Sequence, residues 1–230
     1  MSSKMEILWK QALKTFAGRN SVGYRLCQKN FEMLRNLMDK VTAADVRLDQ
    51  DVIEFVQMQS APMCVVDIFE NQDITIAIFI LKQGVTMPMH DHPGMHGLLK
   101  VIAGAVKIDS FTMEVSKDDI IEPNTGYTAI KHPVKLVKDS DDACVLTPWE
   151  RNLHEISCVE GPAAFLDILS PPYDVDEYGS GTRPCTFFKV TGSIGATESD
   201  DMLEKVQLVS AGSTPDFFSR TLKYLGPPLR

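Results

Sequence analysis

The chain has 230 residues, 44% of them hydrophobic, so it can bury roughly 70% of its unfolded surface without disulfide staples. Against 31 Asp and Glu stand 23 Lys and Arg, a net charge of −8 with no basic run, which argues against a nucleic-acid backbone as partner. The longest uncharged apolar run, Ile74 to Leu81, is far short of the roughly 20 residues that span a bilayer. Charges scattered through MSSKMEILWKQALK also interrupt any secretory hydrophobic block, so a cytoplasmic protein with no membrane partner is expected.

Helical spacing opens the chain. In Met5 to Phe16 the apolar residues Ile7, Leu8, Ala12, Leu13 and Phe16 recur along one face, and from about Tyr24 to Lys40 Leu26, Phe31, Leu34, Leu37 and Met38 do the same. Residues 1–45 are therefore read as a helical extension packed outside a core spanning 60–190, with 191–230 as a C-terminal segment of the same single domain. From Met63 the pattern becomes short β-branched and aromatic runs divided by Gly, Pro, Asn and Asp. Strands are expected at Cys64–Glu70, Ile74–Leu81, Gly97–Ile108, Phe111–Val115, Tyr127–Lys131, Val134–Lys138, Ala143–Leu146, Leu153–Cys158, Ala163–Leu169 and Cys185–Val190. Close spacing without intervening helices implies an all-β sandwich or barrel and excludes a parallel α/β architecture. The polar stretches 174–184 and 192–201 read as loops, 206–209 as a short strand, and 215–224 as a helical candidate. Nothing resembles a dimerisation heptad, and a monomer is the expectation.

Five cysteines, at 27, 64, 144, 158 and 185, are odd in number and contain no C-x-x-C pair, so reduced thiols in a reducing compartment are expected. Of the five histidines, three fall in MPMHDHPGMHG. In an extended segment His90 and His92 share one face and Asp91 takes the other, which is the geometry of a two-point metal clamp. His154, in NLHEISCV, shares its strand face with Ile156 and Cys158 and so points inward. Read alone, His154 is better taken as a hydrogen-bonded core residue than as a ligand, and an H-x-H at a strand edge is ambiguous. Together, in an all-β chain, they favour a metal suited to imidazole: Fe, Zn, Cu or Ni. Asp91 is expected in a solvent-facing or supporting position, His96 in a supporting or structural one, and His132 on the surface.

Gly84, His90, His92 and Gly104 match the first cupin motif, G-x5-H-x-H-x3,4-E-x6-G, except that its Glu would fall at His96 or Gly97. The strings PMHDHPGMHGLLKVIAGAVKI (88–108) and NLHEISCVEGPAAFLDILSPPYD (152–174) resemble the 2-aminoethanethiol (cysteamine) dioxygenase and plant cysteine oxidase family, nearer its animal branch. That resemblance implies a cupin double-stranded β-helix, a jelly-roll-like barrel. It implies Fe(II) held by His90, His92 and His154, with O2 as co-substrate and a sulfinate as product. The substrate would be a small aminothiol or the N-terminal cysteine of a peptide, and oxidation of such a peptide would couple O2 to N-terminal degradation.

The resemblance further implies that Asp167 lines the iron cavity and contacts the substrate amine or a water, and that Tyr173 lies near the pocket. On the sequence alone Asp167 is as well read as a carboxylate satisfied by backbone amides, and Tyr173 as a loop tyrosine. Where animal relatives carry Cys-x-Tyr, this chain reads Cys185-Thr186-Phe187, so no Cys–Tyr link forms there; Tyr178 is the remaining nearby phenol. Cys185 is read as a structural or free thiol, and the 176–183 loop as longer than the family's. Two alternatives stand beside this reading. A free L-cysteine dioxygenase would need a cation for the substrate carboxylate, and neither Arg151 nor Arg183 lies in an expected inward strand. A metal-binding cupin without redox activity is the other.

Overall fold

A computed structural model describes residues 2–114, 125–174, 183–197, 203–212 and 215–230. The helical spacing yields α1 (Lys4–Phe16) and α2 (Gln28–Met38). Helical structure then runs past the expected limit at residue 45, through a 3-10 turn at Ala43–Val46 and α3 (Gln50–Met58). Asp49 starts α3 by accepting the Val52 N–H at 3.1 Å, a cap whose sequence signal is Asp before the spaced Val52, Ile53 and Val56. Among the described residues no helix is long and apolar enough to cross a membrane.

The strands are β1 (Met63–Glu70), β2 (Thr75–Leu81), β3 (Thr86–Asp91), β4 (His96–Met113), β5 (Gly126–Lys131), β6 (Lys135–Lys138), β7 (Cys144–Leu146), β8 (Leu153–Ser170), β9 (Phe187–Ala196), β10 (Glu204–Ala211) and β11 (Ser219–Leu222). Their order is β11-β1-β2-β8-β3-β9-β10-β5-β4-β6, and β4 also pairs with β8, so the path β8-β3-β9-β10-β5-β4 closes on itself. The expected all-β barrel with helices outside is the architecture, antiparallel throughout except where β11 joins β1 in parallel.

Two pairs of expected strands are each one long, bent strand. The first half of β8 pairs β3 and its second half β2, so a single strand turns the corner between sheets. Register shifts in β4 between Val101 and Val106 absorb the bend. There Gly104 has φ 69, and a Cβ on it would lie 2.3 Å from the Glu160 carbonyl oxygen, so glycine is required by both backbone and space.

Two further expectations are corrected, and the extended segment around His90 gains its bounds. The stretch from 192 is strand as far as Ala196, with residues 198–201 outside the described set; its polar composition reflects an exposed strand, with register shifts against β10. Residues 219–222 form β11 because the edge of β1 is open to receive them. Residues 86–91 form a strand despite Pro88, which falls where the β3–β8 register breaks between Met87 and His90. Val115, the expected end of one strand, lies outside the described residues.

Period-two alternation divides the core. Leu98, Ile102, Leu166 and Ile168 face α1 and α2, packing on Leu8 and Leu34, while Leu99, Val101, Ala163 and Phe165 face the barrel interior.

Candidate metal centre and thiol pocket

The antiparallel pairing of β3 with β8 sets His90 directly opposite His154, and His92 follows at the end of β3 with its N–H donating to the Asn152 carbonyl at 2.8 Å. The ring centroids stand 4.8 Å (His90–His92), 4.8 Å (His90–His154) and 4.5 Å (His92–His154) apart. One nitrogen from each ring lies within 4.8 Å of the others, and all three residues are buried. Among the described residues this is the group able to hold a metal, and it includes no carboxylate.

The residues fit a metal chemically. The Nδ1 of His90 meets the Pro88 carbonyl at 2.9 Å and that of His92 meets the Asn152 carbonyl at 3.3 Å. A carbonyl only accepts, so each Nδ1 carries the proton and each Nε2 keeps its lone pair for a ligand bond. Burial holds all three imidazoles below the usual histidine range, reinforced for His92 and His154 by their neighbours. They are neutral and ready to ligate at physiological pH. The supporting carbonyls of Pro88 and Asn152 escape sequence reading, because main-chain acceptors leave no residue signature.

Asp91 is buried rather than solvent-facing. Its carboxylate accepts the Thr186 N–H at 2.7 Å, tying β3 to the segment before β9, and burial pushes its carboxyl up to about 7. Tyr173 donates its hydroxyl to the Asp91 carbonyl at 2.5 Å, and its ring lies 5.8 Å from that of His92. Burial raises its phenol well above the ordinary value, aided by Cys185 and Asp91. The Cys185 side chain hydrogen-bonds Tyr173, and its thiol is pushed up to about 12, chiefly by burial. Phe187 pairs with His90 across β3 and β9, ring centroids 6.4 Å apart. Tyr178 and most of the 176–183 loop lie outside the described residues.

Asp167 stands on the inner face of β8, in line with Phe165, as the alternation requires. Burial pushes its carboxyl up to about 7, with one backbone N–H, from Ile168, opposing. It borders two spaces. One, a cleft of about 30 Å³, is also lined by His154, Lys135 and Arg151. The other, about 150 Å³, is lined by Asp67, Glu70, Phe79 and Tyr173. Asp67 is missed by sequence reading although a charge in the middle of β1 is a visible signal.

Arg151 lies outside any strand, as expected, yet with φ 56 just before β8 it lines the cleft beside His154, and its Nη1 is buried without a partner. His132 departs from expectation. It is buried, with its Nε2 2.7 Å from the Thr112 hydroxyl, because β5 carries it against β4. His96 starts β4 facing outward, under α1 and α2, against Phe16, Phe31 and Trp149, and takes no part in the histidine triad.

The chain is similar to 2-aminoethanethiol dioxygenase of Mus musculus, 29% identical over 99% of this chain and 96% of that protein. It is similar to plant cysteine oxidase 2 of Arabidopsis thaliana, 27% identical over 79% of this chain and 64% of that protein. Among solved structures, KdgF from Halomonas sp. aligns with a TM-score of 0.35 at 15% identity, covering 49% of this chain and 82% of that one. The family model described as PCO_ADO matches residues 37–229, which include the histidine triad, Asp167 and Tyr173, and the chain belongs to that family.

Proposed function

We propose that this protein is a non-haem iron thiol dioxygenase that adds both atoms of O2 to the sulfur of an aminothiol, either cysteamine or the N-terminal cysteine of a peptide. The observation that carries the reading is the buried set of three neutral imidazoles with no carboxylate among them. Ferrous iron bound by His90, His92 and His154 would supply the redox centre at which thiol sulfur and O2 meet. The overall reaction balances without an external reductant: thiol plus O2 gives sulfinic acid, which releases one proton.

The chain's own residues select the substrate. Asp67, Glu70 and Asp167 line the 150 Å³ space, which suits an ammonium group. Asp167, on the inner face, would hold the amine as a charge-assisted pair. Tyr173, neutral and anchored to the Asp91 carbonyl, would close one side of the pocket and fix the segment carrying His92. Free thiols among the described cysteines fit a reducing cytoplasm, the compartment we assign.

A second reading, free L-cysteine as substrate, is favoured by Arg151 beside His154, whose Nε pairs with Glu150 at 3.6 Å while its buried Nη1 has no partner. Its cleft of about 30 Å³ is nearly water-sized, too small for a carboxylate without rearrangement. Protein loaded with Fe(II) without oxygen, then given O2 with cysteamine, an N-terminal Cys peptide or free L-cysteine, should yield products heavier by two oxygen atoms from the first two. Faster turnover of L-cysteine would favour the second reading. Stoichiometric zinc with no O2 uptake would replace both with a non-redox metal site.

A further inference from the structure

A cavity of about 790 Å³ opens on the outside of the barrel, between the start of α2 and the strand ends at His96 and Val145. Arg19, Arg25 and Arg35 line it, yet the chain as a whole carries a charge of −8. None of the three has an ion-pair partner among the described residues. The one carboxylate among the described lining residues, Glu32, is engaged by the Gln28 amide at 3.3 Å. Three guanidiniums against one carboxylate leave a net positive potential that an anion relieves.

Two further observations point to a ligand. α2 begins at this cavity with no side-chain cap and no acidic residue in its first turn, leaving its N–H groups for an external acceptor. His96, 6% exposed, lines the same cavity with its Nδ1 buried and unpartnered, and the Arg19 Nε is buried and unpartnered as well. The rim is aromatic: the Arg19 guanidinium lies 5.0 Å from the Tyr24 ring, and Trp149, 61% exposed, stands edge-on to His96. The space is far larger than a lone phosphate or sulfate needs. All three arginines precede residue 37, where the family match begins.

We propose that this cavity binds a small phosphorylated molecule of the nucleoside phosphate class, its phosphates held by Arg19, Arg25, Arg35 and the first turn of α2 and its planar ring resting on Trp149. Guanidinium forks match phosphate oxygens in paired hydrogen bonds, and an exposed indole offers a stacking face.

The test is calorimetric titration of the intact protein with ADP, inorganic pyrophosphate, adenosine and an acidic hexapeptide. ADP should bind saturably, at least tenfold tighter than pyrophosphate or adenosine. R25A/R35A, which alters two exposed side chains, should weaken ADP at least tenfold, and W149A should weaken ADP while leaving pyrophosphate unchanged. Absence of saturable ADP binding at millimolar concentration, or ADP binding indifferent to R25A/R35A, would overturn the site. Pyrophosphate equal to ADP would overturn the ring assignment, and a preference for the acidic peptide would overturn the ligand class.

Discussion

Replacing Asp167 with Asn tests how the pocket recognises its substrate. The carboxyl is buried and sits at about 7 because burial opposes its charge and one backbone N–H, from Ile168, is left to support it. An incoming ammonium meets an acceptor that has little else to satisfy it, so the pair forms with little competition. A hydrogen bond to a charged group contributes about 1.5–3 kcal/mol, so D167N should lower kcat/KM for cysteamine roughly 10- to 150-fold. The assay compares O2 consumption at pH 8, where the wild-type carboxyl is ionised, with cysteamine and with 2-mercaptoethanol, which carries a hydroxyl in place of the ammonium. Iron content is measured on both proteins so that metal loss is not mistaken for weaker recognition. With iron equal, only the cysteamine rate should fall substantially. An equal fall for both thiols, or an unchanged cysteamine rate, would refute amine recognition by Asp167.

H154Q should lose most bound iron and O2 uptake while H132Q, altering a buried histidine outside the triad that hydrogen-bonds Thr112, keeps its iron; metal analysis with circular dichroism separates the two. His96 is held down at about 4 by burial and by Arg19. The unfolded chain therefore binds a proton near pH 6.5 that the folded one refuses until about 4, and stability falls as pH drops through that window, by up to about 1.4 kcal/mol per pH unit. Denaturant melts of H96F at pH 4.5 to 7 should show a shallower slope than wild type, and parallel slopes would refute the assignment. G104A forces φ 69 on a residue with a Cβ and drives that atom into the Glu160 carbonyl, so it should cost at least ~1–3 kcal/mol in denaturant melts.

The histidine triad was legible because a strand's period of two turns H-x-H into a same-side pair, and because His154 alternates with Ile156 and Cys158 on an inner face. Alternation put Asp167 on one face with Phe165 and Leu169, but both faces of that strand are apolar, so its place at the pocket was legible only through the family resemblance. What escaped depended on partners distant in sequence. Continuous β4 and β8 read as broken strands because polar Asp109-Ser110 and the Gly161-Pro162 pair carry turn residues inside one ladder. β11 escaped because Ser219–Leu222 is a strand only by virtue of the open edge of β1. Arg151 reads as a loop residue and reaches the cleft through a left-handed backbone that its sequence does not announce.

The same alternation accounts for the neutral ligand set. The cupin motif's Glu would fall at His96 or Gly97, and the two positions face opposite sides of β4. His96 turns outward beneath α1 and α2, where a carboxylate would be buried among Phe16 and Phe31 with no metal in reach. Gly97 turns inward to line the cleft beside His154, but a Cβ there would stand 2.8 Å from Leu146 Cγ and 2.9 Å from Leu169 Cδ2. Packing of β7 and the end of β8 has thus closed the space through which a fourth, anionic ligand would have to reach. The missing Glu goes with the packing of the barrel wall rather than with one residue, and a metal held by the triad would keep its full charge. On the proposed function that charge would attract a thiolate, while Asp167, which borders both the cleft of His154 and the neighbouring space lined by Asp67 and Glu70, would take the ammonium.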